Sequence, residues 1–191
     1  MGELMDVKDD QIPWKGAIER ALSRISTTLL VPESDYGRVQ EWVNDNNLRA
    51  HGRFQEVRES DLKPGFVQFN PNGFAVKLLW KEHPYRDYAK YQINERDLTC
   101  VDHPSQLRRT PYSMTREGLI NWPHGRSEKN DNHRIDDRSA WNLGFSNTSR
   151  LSALQEEMAA CTTDLQQRQH ERDEARSRMN HQSTLNTVLG R

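Results

Sequence analysis

The chain has 191 residues, of which 34% are hydrophobic and 29% are charged, so its apolar share lies below the roughly 45–50% of an ordinary globular chain. The 27 Lys and Arg residues nearly balance the 28 Asp and Glu residues, and the formal net charge is -1. This balance excludes a histone-like cationic coat for nucleic acid.

Membrane and secretion signals are absent from the sequence pattern. No apolar run approaches the ~18–20 residues of a membrane span, and the first residues are acidic, unlike a secretory signal. Two cysteines are too few for a disulfide scaffold or a four-thiolate zinc site. We therefore expect a cytoplasmic protein that makes no membrane contact.

The composition changes near residue 147. All eight prolines and all five tryptophans precede this point, and no Pro, Trp, Tyr or Phe follows it. Such a change marks a folded domain that continues into an elongated element. We expect a short leader over residues 1–12, an α/β domain over residues 13–146 and a coiled-coil helix over residues 147–191.

The first part of the domain alternates helix and strand. Apolar residues recur at helical spacing over residues 14–25, which predicts an amphipathic helix. Residues 27–31 form a β-prone run that ends at a proline, which predicts a buried strand. Residues 36–43 show a second helical face, and residues 53–57 alternate as a strand does. This order favours an α/β arrangement with a partly parallel sheet.

The second part of the domain contains shorter elements. Residues 74–80 are compatible with a strand or with the start of a helix, and the pattern does not separate the two. Residues 85–92 predict a helix, residues 98–101 a strand and residues 104–109 a short helix. Two β-prone runs flank Gly118, which is a hairpin signature because glycine adopts positive φ without strain.

The last segment carries a heptad pattern. With Leu151 at an a position, apolar residues fill most a and d positions, and charged or amide side chains surround them as a solvated helix requires. The alternative is a helix folded back onto the domain. The predicted seam consists of Leu151, Leu154, Met158, Cys161, Leu165, Ala175, Met179 and Leu189.

Motifs of enzyme chemistry are missing. The phosphate-cradling motif G-x-x-x-x-G-K-[ST] is absent, so this chain should not hydrolyse ATP. Cys100, Asp102 and His103 lie close together in sequence, but alternate residues of a strand point to opposite faces. We expect no catalytic residue and no cofactor in this chain.

One segment rich in histidine and carboxylate suits a divalent metal. Its spacing matches no recognised ligand motif, and neighbouring basic residues can neutralise its acids, so a salt-bridged loop is the preferred interpretation. A metal-dependent nuclease is the alternative function. The residues concerned are His124, Asp131, His133, Asp136 and Asp137.

Basic residues gather in the later half of the domain, with Tyr112 and Trp122 between them. Phosphate contacts need Lys or Arg, and base stacking needs exposed aromatic rings, but interspersed acids dilute the positive field. A solvated surface of mixed charge is the preferred interpretation and weak DNA contact is the alternative, with a standalone DNA-binding module as a further alternative function. The candidate contacts are Arg108, Arg109, Arg116, Arg126, Lys129, Arg134 and Arg138.

Three stretches together resemble the hinge region of SMC-like (structural maintenance of chromosomes) ATPases. They are most similar to the large coiled-coil subunit of Wadjet-type bacterial condensins, relatives of MukB. The first stretch, PWKGAIERAL at 13–22 with LLVP at 29–32, resembles the opening of the hinge. The second, which resembles the second half of the hinge, comprises LTCVD at 98–102, SQL at 105–107 and the hairpin at 115–125. The third stretch resembles the exit from the hinge into the returning coiled coil. It comprises HRIDDR at 133–138, WNLGFSN at 141–147 and the heptads that follow.

The resemblance implies an α/β (α+β) SMC-hinge-like domain followed by a long coiled-coil helix, non-catalytic in itself. The parent family binds ATP and Mg²⁺ in a separate head domain. The implied role lies in DNA loop extrusion, chromosome or plasmid maintenance, or Wadjet-type plasmid defence, with kleisin, winged-helix and nuclease subunits as partners. Residues 1–12 are then a leader or the end of an incoming coiled coil, and the chain is a fragment or remnant of a longer protein.

The resemblance also implies a homodimer through the hinge. A two-fold contact uses the same patch on both copies, and a stable one buries more than about 1,000 Å². Ordinary hinges carry a glycine-rich stretch at this interface, whereas few glycines remain near the equivalent place here. The predicted interface comprises Gly118, Leu119, Ile120, Trp122 and Gly125.

Overall fold

The computed structural model describes residues 1–63, 65–146 and 148–189. The chain divides into two compact units, Met1–Arg150 and Leu151–Arg191. Within the described ranges, no helix is long and apolar enough to cross a membrane. Short 3₁₀ turns lie at Gly2–Leu4, Asp9–Trp14, Glu59–Leu62, Ala75–Lys77, Pro123–Gly125 and Arg138–Ala140.

The first strand, β1 (Met5–Val7), pairs antiparallel with β4 (Leu78–Trp80). Met5 and Val7 point to the same face of the strand, and both are buried in the core. This corrects the expected leader over residues 1–12, which is part of the folded domain. A strand of three residues is too short to show a hydrophobic period in the sequence.

Two short helices follow, α1 (Lys15–Ala21) and α2 (Ser23–Ser26). They carry the apolar face predicted over residues 14–25, of which Ile18 and Leu22 are almost fully buried. The turn at Leu22 divides the predicted single helix in two.

A β–α–β segment comes next. β2 (Thr28–Pro32) and β3 (Arg53–Val57) form a two-stranded parallel sheet, and α3 (Glu33–Asp45) connects them. The predicted parallel pairing is confirmed. The prediction of a buried first strand is wrong, because Val31 is buried but Leu29 is 60% exposed. No residue of α3 is buried either.

The helix α4 (Arg86–Asn94) packs Ala89 and Ile93 into the core. Residues 74–80, which the pattern left open, contain a 3₁₀ turn followed by β4. Phe74 at the start of this stretch is fully buried. The core also includes Leu4, Trp14, Ala17, Ala75, Leu78, Leu98, Met114, Ile120 and Leu143.

A four-stranded sheet consists, in spatial order, of β5 (Thr99–Cys100), β6 (Ser113–Met114), β7 (Leu119–Asn121) and β8 (Ser127–Lys129). β5 runs parallel to β6, and the other pairs are antiparallel. The predicted hairpin is confirmed by β6 and β7, with Gly118 at a φ of 78°. The helix α5 (Pro104–Leu107) lies between β5 and β6 in the chain. β8 was not predicted because its three residues are polar and exposed.

The second unit is helical. α6 (Thr148–Leu189) has 42 residues, which corresponds to about 63 Å at 1.5 Å per residue. Described apolar side chains along it, such as Met158 at 67% exposure, face solvent.

Candidate functional site

The sequence neighbours Cys100, Asp102 and His103 do not form a catalytic group. Burial raises the pKa of the Cys100 thiol to about 12, so the thiolate needed for nucleophilic attack is scarce at neutral pH. Arg116 donates to Asp102 Oδ1 at 2.9 Å. His103 Nδ1 accepts from the Ser105 backbone N–H at 3.2 Å and caps α5. Each side chain serves the local structure.

The histidine- and carboxylate-rich segment forms ion pairs and turns. His133 Nδ1 lies 3.2 Å from Asp137 Oδ2, and Arg134 donates to Asp136 at 3.0 Å. The arginine contact lowers the pKa of Asp136, and the Ser139 hydroxyl lowers the pKa of Asp137. Over the described parts of the chain, no group of three His, Cys, Asp or Glu side chains is placed to hold a metal.

Asp131 is engaged by basic side chains, and His124 lies in a separate turn. Lys129 lies 2.9 Å from Asp131, and this contact lowers the pKa of the carboxyl. Arg20 reaches the same carboxylate at 2.9 Å. His124 lies in the 3₁₀ turn Pro123–Gly125 with a φ of 62°. The carboxylate–imidazole cluster that a nuclease would need is therefore not assembled by these residues.

Most of the predicted DNA contacts are exposed cations that already have acidic partners. Arg126 pairs with Glu128 at 3.2 Å, and Arg116, Lys129 and Arg134 pair as described above. Neighbouring opposite charges weaken the field that would attract phosphates. The other predicted contacts, Arg108, Arg109 and Arg138, are exposed.

The predicted dimer interface is divided between core and surface. Ile120 is only 6% exposed and belongs to the core, so it is not available to a second copy. Gly118 is also buried, and a Cβ built on it would lie 2.9 Å from the Arg20 guanidinium. Leu119 and Trp122 are half-buried, and Gly125 is exposed. Of the five predicted interface residues, only these last three have surface that is open to solvent.

A second surface, which the sequence did not indicate, lies between α3 and the β2–β3 sheet. This α3 groove has a volume of about 680 Å³. Leu29 and Trp42, at 60% and 59% exposure, open onto solvent there. Asp35 and Arg38 on its rim form an exposed ion pair at 3.2 Å. The other apolar lining residues are Val39, Val43, Leu48 and Phe54.

The predicted coiled-coil seam lies on α6. Leu151, Leu154, Met158 and Leu165 are 57%, 41%, 67% and 55% exposed, and Cys161 and Ala175 are exposed too. The side chains of Met179 and Leu189 lie outside the described residues. Along the helix, pairs four residues apart such as Arg168–Asp164 at 2.9 Å connect the polar positions, which adds modest helix stability.

Residues 131–143 are attached to α1 by contacts that sequence reasoning missed. The buried Glu19 carboxylate accepts the Asn142 and Leu143 backbone N–H groups, both at 2.8 Å. Burial raises the pKa of Glu19. Arg20 donates to the His133 carbonyl at 2.6 Å. The sequence gives one signal of this attachment, which is the presence of a carboxylate, Glu19, in a helix whose inner side is otherwise apolar.

Comparison with known proteins identifies the architecture. No family model matches this sequence, and no curated protein matches it. Among solved structures, the chain is similar to the Pyrococcus furiosus Smc hinge domain with an extended coiled coil, at 19% sequence identity and a TM-score of 0.52. The fold is that of an SMC hinge.

The match covers 83% of this chain and 56% of the Pyrococcus chain, so the chain spans little more than half of the structure that it resembles. The mixed α/β domain and the long C-terminal helix both have counterparts in that description. The expected SMC-hinge-like fold is confirmed. The more specific resemblance to Wadjet-type condensins stays a prediction.

Proposed function

We propose that this chain is the hinge and adjoining coiled-coil segment of an SMC-like protein, and that its role is to join chains rather than to catalyse a reaction. The observation that carries the proposal is the hinge fold, present together with a 42-residue helix that has an exposed apolar seam. A connector needs no catalytic group, and the sequence lacks the phosphate-cradling motif.

The α6 seam supports the attachment of this chain to a coiled-coil arm of the parent protein. Exposed leucine and methionine side chains at a and d positions are stabilised when they pack into the holes of a facing helix. The weak seam is consistent with one strand of an antiparallel coiled coil whose other strand belongs to the same parent protein. ATP and Mg²⁺ would then act in the head domain of that parent, not in this chain.

The α3 groove supports self-association, and we assign a second copy of this chain as its occupant. A two-stranded sheet is marginal unless it packs against a further element, and here Leu29 and Trp42 are left exposed. The rim carries Asp35 and Arg38 side by side. In a two-fold contact, where both copies present the same patch, each charge can face its opposite on the partner.

Light scattering coupled to size exclusion, over a range of dilutions, tests this proposal. We expect a mass near twice 22.4 kDa for the wild type and a folded monomer for Leu29→Asp and Trp42→Asp. Leu119→Asp is the matched control on the hairpin surface and should remain a dimer. A monomeric wild type contradicts self-association, and a monomer only for Leu119→Asp moves the interface to the hairpin.

The finer assignment to a MukB- or Wadjet-type condensin follows from the resemblance of residues 133–147. It includes DNA loop extrusion, plasmid maintenance or defence, and kleisin, winged-helix and nuclease partners. We propose to replace the hinge of a functional Wadjet-type complex by this chain and to measure plasmid loss. Restriction should persist with the wild-type chain and fall with Leu29→Asp, whereas failure of both contradicts the finer assignment.

A further inference from the structure

The turn that precedes Phe74 has the sequence Asn-Pro-Asn-Gly over residues 70–73, and it contains the one Asn–Gly pair of the chain, Asn72–Gly73. Asn72 is exposed, whereas Gly73 is buried. An asparagine that precedes glycine is prone to spontaneous deamidation, because glycine has no Cβ to obstruct the approach of its nitrogen to the asparagine side chain. The turn therefore has the sequence of a chemical modification site.

Deamidation at this pair is an internal acyl transfer. The Gly73 backbone nitrogen loses its proton and attacks Cγ of Asn72, so that a new C–N bond forms. The Cγ–Nδ2 bond breaks, and the side-chain nitrogen leaves as ammonia with the proton. Water then opens the succinimide ring at either of its carbonyls, which yields aspartate or isoaspartate. Water is the only co-reactant, and no oxidation or reduction takes place.

The folded turn opposes this reaction. The peptide group between Asn72 and Gly73 must rotate until its nitrogen faces Cγ, yet both polar groups of that peptide are bound. The Gly73 N–H donates to the Asn70 carbonyl at 2.9 Å, and the Asn72 carbonyl accepts from the Cys100 N–H at 2.7 Å. Rotation breaks both hydrogen bonds, and backbone groups without partners are costly in a folded protein.

The Asp97 carboxylate bridges the two ends of the turn. Its Oδ2 accepts the Asn70 N–H at 3.1 Å, and its Oδ1 accepts the Ala75 N–H at 2.9 Å. A Cβ built on Gly73 would overlap both carboxylate oxygens, so the carboxylate packs directly against the glycine. Hydrogen bonds to an ionised acceptor are stronger than those between neutral groups. We call this arrangement the Asp97 clasp.

The Asn70 side chain adds a second set of contacts to the turn. Its Oδ1 accepts the Asn72 N–H at 3.0 Å, and its Nδ2 donates to the Thr99 hydroxyl at 2.8 Å. Gly73 and Thr99 also form an isolated antiparallel bridge. The turn is thus attached to the segment that contains β5 through side chains and backbone together.

We propose that Asn72 is a deamidation site that the Asp97 clasp keeps closed in the folded protein. The reaction proceeds only in molecules whose turn has opened, and local opening requires less free energy than global unfolding. Isoaspartate adds one carbon to the main chain and displaces the carbonyl that accepts from Cys100. Because Cys100 lies in the edge strand β5, each opening that ends in deamidation leaves a permanent change at the edge of the four-stranded sheet.

Peptide mass spectrometry of the full chain after incubation in mildly alkaline buffer tests the proposal. We expect slow conversion of Asn72 in the folded wild type and fast conversion in urea, where the turn is open. Asp97→Ala should accelerate the reaction in native buffer by about tenfold or more, because it removes both hydrogen bonds of the clasp. Asn72→Ser should give no product at this position. Equal wild-type rates in native buffer and in urea contradict the proposal.

Leu107→Ala is the matched control for a general loss of stability. Leu107 is 6% exposed, belongs to α5 rather than to the turn, and leaves a cavity when truncated. Leu107→Ala should accelerate the reaction at Asn72 far less than Asp97→Ala does. Equal acceleration by the two variants shows that global unfolding governs the reaction, and it overturns the role of the clasp.

A milder variant covers the case in which Asp97→Ala does not fold. Thr99→Val removes only the hydroxyl that accepts from the Asn70 side chain, and it should accelerate the reaction in native buffer by a smaller factor. An unchanged rate in Thr99→Val, or in a folded Asp97→Ala, contradicts the proposal. The turn does not line the α3 groove, so either result leaves the hinge assignment as it stands.

Discussion

At the scale of single residues, Glu19 holds Asn142 and Leu143 against α1. Its two oxygens accept one backbone N–H each, at 2.8 Å, and these buried donors would otherwise be unsatisfied, at a cost of about 1–3 kcal/mol each. The amphipathic pattern over residues 14–25 predicted a helix here but did not indicate that Glu19 is buried. It did not predict the partner, because the carboxylate and its donors are more than a hundred residues apart.

The titration of Glu19 gives a pH-dependent prediction. Burial raises its folded-state pKa above the ordinary value, so its stabilising contribution is fully present below the unfolded pKa of about 4.3 and is lost as the pH rises through the folded pKa. Relative to Glu19→Gln, which does not titrate, the wild type should lose free energy of unfolding as the pH rises above the unfolded pKa of about 4.3. Urea unfolding of both proteins measures this difference. If the free energy of unfolding of the wild type rises with pH relative to Glu19→Gln, burial is not the main influence on the pKa of Glu19, and the prediction is contradicted.

Two glycines give a matched pair of predictions. A Cβ on Gly16 would lie 1.9 Å from the Ile135 carbonyl oxygen, whereas one on Gly37 would meet nothing within 4 Å. Gly16→Ala must push residues 131–143 away from α1 and should cost about 1–3 kcal/mol. Gly37→Ala, in the exposed helix α3, should instead stabilise by about 0.5–1 kcal/mol. Thermal unfolding of both variants checks the pair, and a neutral Gly16→Ala contradicts the close approach.

At the scale of elements, the β2–α3–β3 segment was predicted well. The hydrophobic periodicity of its helix and of both strands extends over enough residues to be recognised in the sequence, and the chain order favours parallel pairing. The burial of β2 was predicted wrongly because an apolar run indicates a strand without showing whether another layer covers it. β1, of three residues, was missed since it exists only through pairing with the distant β4. β8, also of three residues, was missed because its polar and exposed side chains carry no strand pattern.

The α6 seam gives the prediction at this scale. Leu154 and Leu165 are 41% and 55% exposed, so Leu154→Glu and Leu165→Glu should change the free energy of unfolding of the domain by less than about 0.5 kcal/mol. Leu107→Glu is the control, since Leu107 is 6% exposed and its replacement buries a charge. Unfolding followed by tryptophan fluorescence reports on the domain, which contains every tryptophan. A large loss in the seam variants would show that the seam is already packed.

At the scale of the whole molecule, self-association through the α3 groove predicts a stability that depends on concentration. A partner that binds only the folded state raises the thermal midpoint by mass action. The midpoint of the wild type should therefore rise with protein concentration, whereas that of Leu29→Asp should not. Calorimetry over a hundredfold range of concentration checks this, and equal midpoints at all concentrations in the wild type contradict the dimer.

The sequence by itself determined the properties that depend on near neighbours in the chain. These are the change of composition near residue 147, the heptads that follow, the helical face over residues 14–25, the hairpin around Gly118 and the absence of a phosphate-cradling motif. The order of a few short stretches along the chain also indicated the hinge fold, because each stretch resembles a successive part of a hinge.

Only the tertiary structure decided which of these residues are available to partners. It placed Ile120 in the core, paired Arg116 and Arg134 with acids, and left Leu29 exposed. It also brought Arg24, Arg96 and Tyr112 to one cavity from three separate segments of the chain. Burial and charge pairing arise from contacts between distant segments, and no local period encodes such contacts.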